Sequence, residues 1–169
     1  MRKKIFAFLL LSALYAGAQE VPDWENPIVV GINKEPYHAT LTLPSQKADC
    51  KEIISLNGKW RFQWSADPGK RPADFYKNDF NTDTWDTIIV PGAWQLQGYG
   101  KPIYSNVNYP FQKDAPKVTS EPPAEYYSYG HRNPTGSYVT TFEVTLDMKD
   151  KCLYLHFEGV KSAMYVWVN

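Results

Sequence analysis

Trp60, Phe62 and Trp64 alternate with Lys59, Arg61 and Gln63, and this period of two is the feature that most restricts what the chain can become. Alternation puts every second side chain on one face of an extended segment, so these residues read as a half-buried strand, opened by a turn at Leu56-Asn57-Gly58. A polar stretch with Pro68 and Gly69 follows, then a short helical turn expected over Phe75 to Phe80, then a β-branched run from Thr87 to Val90 that Pro91 stops. Alternation returns at Ser137 to Val144, where Tyr138, Thr140, Phe142 and Val144 share a face. It recurs through Leu153, Leu155 and Phe157, and again from Ala163 to Asn169 through Met164, Val166 and Val168. Short strands joined by turn-rich connections, with no long helix, predict an all-β fold, an antiparallel β-sandwich. Asn169 ends the sequence at a residue that commonly opens a hairpin turn, so further strands are expected beyond it.

The chain opens differently. Arg2, Lys3 and Lys4 precede an almost wholly apolar run from Ile5 to Ala16, too short for the roughly 20 residues that span a bilayer. Small residues follow at Ala16-Gly17-Ala18, so residues 1–18 read as a secretory signal cleaved after Ala18, giving a periplasmic or secreted protein. Residues 19–52 are rich in Pro and polar groups, lack periodicity and read as an extended arm, whose Trp24, Tyr37 and His38 suggest that it lies on a surface. Residues 53–169 then form one sandwich domain, a single core being what this length supports.

Eighteen basic residues balance eighteen acidic ones, so no net field attracts nucleic acid or an anionic membrane. Six Trp, twelve Tyr and eight Phe suit a sandwich core and a carbohydrate platform equally. Cys50 and Cys152 permit one disulfide in an oxidising compartment, but Cys50 lies in a polar connector and nothing local aligns it with Cys152, so pairing and two separate thiols both stay open. Neither cysteine has the spacing of a metal site.

Between Pro91 and Gly136 the chain carries many Pro, Gly and Tyr and no periodicity, over a length far beyond the usual 2 to 6 residue connection. Its tyrosines and Trp94 argue against disorder. Most residues in it have bland readings: Pro91-Gly92 ends a strand, Trp94 caps the sandwich, and Asn133-Pro134-Thr135-Gly136 sets a turn before the next strand. Asn106, midway along and flanked by Tyr104 and Tyr109, offers an amide whose two donors and one acceptor match adjacent sugar hydroxyls, although a loop Asn more often bonds its own backbone.

Four motifs occur in order: LNGKWRFQW at Leu56 to Trp64, VPGAWQLQGYGKPIYSNVNYPF at Val90 to Phe111, NPTGSY at Asn133 to Tyr138, and FEGVKSAMYVWVN at Phe157 to Asn169. Together with DWENP at Asp23 to Pro27, they resemble the N-terminal, galactose-binding-like jelly-roll domain of the family 2 glycoside hydrolases, of the β-galactosidase type. The resemblance implies a parent that hydrolyses terminal β-D-galactosides by a retaining mechanism, with two glutamates on a TIM barrel of the same protein. It implies Mg²⁺, with Na⁺ a further candidate, held by barrel residues, and a parent for which homo-oligomerisation stays open. It implies also that Asn106, the amide of the IYxNV motif, reaches the galactosyl unit.

No carboxylate of this chain is read as catalytic: Asp114, Glu121 and Glu125 lie in the long connector and suit a solvated loop, and His131 suits a surface. The sequence departs from the resemblance at Lys113 to Arg132, which is longer than usual and carries Tyr126, Tyr127, Tyr129, His131 and Arg132, suited equally to a glycan beyond the galactose and to an interface. A stand-alone carbohydrate-binding module, and the same domain of a β-glucuronidase or β-mannosidase, are the competing readings.

Overall fold

A computed structural model describes residues 21–36, 53–102, 114–118, 124 and 133–169. Residues 1–18, where a secretory signal is expected, lie outside the described residues, as do Cys50 and Asn106.

Three strands form one antiparallel sheet in the order β2-β1-β3: β1 at Gly58–Ser65, β2 at Asp86–Val90 and β3 at Thr135–Val139. Among the described residues, helical structure is confined to short 3-10 turns of three or four residues. The chain is thus of the all-β sandwich class that alternation predicts.

Register explains the core. Trp60 stands opposite Ile88, Phe62 opposite Tyr138 and Trp64 opposite Gly136, so the aromatic face of β1 meets apolar residues from both neighbours. Phe62 is 0% exposed and Ile88 1%, and the Tyr138 ring centroid lies 4.7 Å from that of Phe62. Burying a side chain of this size contributes about 1.5 to 3 kcal/mol to holding the sheet together. On the opposite face Ser65 and Ser137 are buried as well.

The structure revises several details. Gly58 has a φ of 138° but opens β1 directly, with no turn before it. Residues 73–79 make successive turns, closed by Lys77 N–H to Asp74 O and Phe80 N–H to Lys77 O, in place of the expected helical turn. β3 begins two residues earlier than the alternation suggests, because Thr135 and Gly136 pair with Ser65 and Trp64, and it stops where its pairing with β1 ends at Arg61↔Val139. Residues 140–144 continue the alternating pattern outside the strand.

The expected strands at Leu153 to Phe157 and Ala163 to Asn169 do not form. Leu153, Leu155, Phe157, Met164, Val166 and Val168 are all exposed, between 40% and 65%. A strand needs a neighbour for its N–H and C=O groups, and these segments belong to no sheet. Residues 163–169 are held instead by side chains: Trp167 stacks on Tyr76 at 5.1 Å and on Tyr165 at 5.8 Å, and the Asn169 amide donates to the Tyr76 carbonyl at 2.6 Å. Cys152 is a free, exposed thiol.

Candidate functional site

The long connector leaves the sheet at Pro91, beside the Gly58 end of β1, and returns at Asn133, beside the Ser65 end, so its two roots lie at opposite ends of the sheet. The outgoing root is built tightly. Trp94–Gln97 forms a 3-10 turn, and Gln97 folds back on the outer edge of β2. Ile89 N–H donates to Gln97 Oε1 at 2.8 Å, and Gln97 Nε2 donates to the Ile89 carbonyl at 3.0 Å. A side-chain amide can present one N–H and its C=O side by side, as a residue of a paired strand presents its own, so Gln97 satisfies the edge at Ile89 as a further strand would. Gly92 makes this approach possible: a Cβ there would stand 2.8 Å from Gln97 Nε2 and 3.0 Å from the Ile89 carbonyl oxygen.

The aromatic residues of the root converge on Phe62. Trp94 lies 6.2 Å from its ring and Tyr99 4.7 Å, the latter edge-on. Gly136 sits beneath them, where a Cβ would come within 2.7 Å of both Phe62 and Trp94 and 2.8 Å of Tyr138. Gly136 therefore serves ring packing inside β3, and not the turn that its sequence context suggests. Burial first, then a hydrogen bond to the Asp86 carboxylate and that group's charge, raise the Tyr99 hydroxyl above its ordinary pKa. Burial alone does the same for Tyr138.

The second anchor comes from the arm. Asp23–Glu25 forms a single 3-10 turn, and Trp24 takes Arg71 over its face, 4.9 Å from guanidinium carbon to ring centroid. Tyr165 meets the same ring edge-on at 6.3 Å. Glu25 is 6% exposed and points to the connector: Val118 N–H donates to its Oε1 at 3.2 Å and Lys117 Nζ to its Oε2 at 3.4 Å. A buried carboxylate needs such partners to offset its lost hydration.

Of the residues singled out in sequence, Trp94 packs on the aromatic face of the sheet, against Phe62 and over Gly136, and Asp114 opens the turn that ends at Lys117. Asn106, Glu121, Glu125, His131 and the tyrosines at 126, 127 and 129 lie outside the described residues. The roles of Glu25 and Gln97 have no signal in the local sequence. Glu25 acts across 92 positions, which no local pattern shows. Among the described residues, no group of three or more His, Cys, Asp or Glu is placed to hold a metal ion.

What the described residues provide is a β scaffold whose connector is anchored at Gln97 and again at Lys117 and Val118. Residues 53–169 match the family described as glycosyl hydrolases family 2, sugar binding domain, and the chain belongs to that family. It is 39% identical over 164 residues to a β-galactosidase of Priestia megaterium, covering 91% of this chain and 15% of that protein. It is 40% identical over 154 residues to a β-galactosidase of Clostridium acetobutylicum, covering 87% and 16%, and 35% identical over 158 to a β-galactosidase large subunit of Leuconostoc lactis, covering 86% and 25%. The chain thus spans between 15% and 25% of the length of these relatives.

Proposed function

We propose that this chain is the non-catalytic β domain of an exported β-galactosidase, which buttresses a catalytic TIM barrel and lends it one sugar-contacting amide, that of Asn106. The observation that carries the reading is that the relatives named β-galactosidase match this chain along most of its length, the DWENP arm included. Cleavage of a terminal β-D-galactoside with retention uses two carboxylates about 5 to 5.5 Å apart, one nucleophile and one acid/base. Both belong to the barrel, as does the Mg²⁺ expected there, so the part played by this chain is to bind and orient. A primary amide can donate to one sugar hydroxyl while accepting from its neighbour, which fixes the ring about the glycosidic bond. The apolar leader at residues 1–18 would place the enzyme in the periplasm or outside the cell.

The test uses the complete polypeptide that carries this domain. Asn106→Ala should lower kcat/KM on an aryl β-D-galactoside at least about tenfold, close to 1.4 kcal/mol. Unchanged kinetics would remove Asn106 from the site, and preference for a glucuronide or mannoside over the galactoside would overturn the substrate class. The 169-residue chain by itself should hydrolyse none of them.

A further inference from the structure

We infer that Glu25 of the arm is a positioning residue, whose carboxylate clasps the connector at Lys117 and Val118 and so makes the arm part of the sugar-binding apparatus. The inference rests on the reading above, in which this connector serves the sugar site, and it adds a residue that no motif for sugar contact includes.

Three features of the clasp set it apart from an ordinary surface ion pair. First, the carboxylate is buried while its lysine partner is not: the Glu25 side chain is 7% exposed and that of Lys117 57%. Exposed pairs hold little, whereas a carboxylate kept out of water is fixed by the groups that solvate it. Second, one of those groups is the backbone N–H of Val118, so the clasp holds the main chain of the connector and not merely a side chain. Third, the arm is itself fixed from the other side, through Trp24 between Arg71 and Tyr165. With the outgoing root pinned by Gln97 on Ile89, the connector is held at two places on either side of Asn106. Fixing both flanks reduces the conformations open to the chain between them, and this lowers the ordering that substrate must impose.

Glu25→Ala and Glu25→Gln in the complete polypeptide separate the possibilities. Glutamine keeps an oxygen that accepts from Val118 N–H and gives up only the ion pair. Hydrogen exchange at the Val118 amide should therefore quicken by about tenfold or more in Glu25→Ala and stay near wild type in Glu25→Gln. The KM for an aryl β-D-galactoside should rise about tenfold in Glu25→Ala with kcat little changed, and Glu25→Gln should restore it. Unaltered Val118 exchange in Glu25→Ala overturns the inference whatever the kinetics. Quickened exchange with unaltered KM also overturns it, and if Asn106→Ala is impaired in the same assay the reading of the sugar site survives. If Asn106→Ala and Glu25→Ala are both silent, the reading and the inference fall together. A fall in kcat and thermal stability that glutamine does not rescue marks Glu25 as merely structural, and this too overturns the inference.

Discussion

The sheet and the C-terminal segment carry the same kind of sequence and have opposite fates. Trp60, Phe62 and Trp64 alternate with polar residues, as do Met164, Val166 and Val168. Yet Phe62 is wholly buried and Val168 is 65% exposed. The difference is one of partners: β1 is central, with β2 and β3 supplying hydrogen bonds along both of its edges and Ile88 and Tyr138 supplying cover on its apolar face. Residues 163–169 join no ladder and are held by stacking on Tyr76. Alternation states which face a strand would bury, and only pairing makes the strand.

The sharpest way to break this comparison is to truncate one residue on each side of it. Phe62→Ala should cost about 3 to 5 kcal/mol, because it empties the centre of the aromatic core and leaves Trp94, Tyr99 and Tyr138 without their common neighbour. A loss of that size is comparable with the whole stability of a small domain, about 5 to 15 kcal/mol. Val166→Ala should stay within about 0.5 kcal/mol, as an exposed substitution does. Urea denaturation of the two variants decides it. Equal losses would mean that the C-terminal segment is packed as firmly as β1, and the contrast would vanish.

What was legible beforehand follows the same division. The strand at β1, its buried face and the run ending at Val90 could be read from residues, since each depends on neighbours within a few positions. The roles of Glu25 and Gln97 could not. Both are polar residues that local reasoning assigns to solvent, and each acquires its meaning from a backbone group elsewhere, Val118 for one and Ile89 for the other. Gly136 was visible but misread: beside Pro134 it looks like a turn residue, and only the register that sets it opposite Trp64 shows that three rings require its bare Cα. The motif containing Asn106 was legible as a resemblance, while its bare chemistry, one amide in a long loop, would have supported self-bonding equally well.

A second variant tests the edge of the sheet, where partnering is supplied by a side chain. Gln97→Leu keeps the volume and removes both hydrogen bonds to Ile89, for about 1 to 2 kcal/mol in total. It also uncovers the Ile89 N–H and C=O on an edge strand, so sedimentation should show association that grows with protein concentration. If Gln97→Leu associates no more than wild type and is as stable, the amide is not acting as a surrogate strand.

The smallest effect distinguishes the two regions by the origin of a proton's affinity. Tyr138 in the sheet and Tyr165 in the C-terminal segment both ionise above the ordinary 10.0. For Tyr138 the cause is burial. For Tyr165 burial leads, followed by the Asp23 carboxylate through charge and a hydrogen bond, with Arg71 pulling the other way. A group whose folded pKa is raised releases its proton more readily when unfolded. The stability linked to both tyrosines is therefore fully present below pH 10 and lost as pH climbs through their folded values. Nuclear magnetic resonance of ring-labelled tyrosine at alkaline pH follows each phenolate, with the two resonances assigned by Tyr138→Phe and Tyr165→Phe. Asp23→Asn should bring Tyr165 part of the way back toward 10.0 and leave Tyr138 where it was. Were Tyr165 unmoved, no carboxylate would contribute to its shift, and the arm would not reach the C-terminal segment through Asp23.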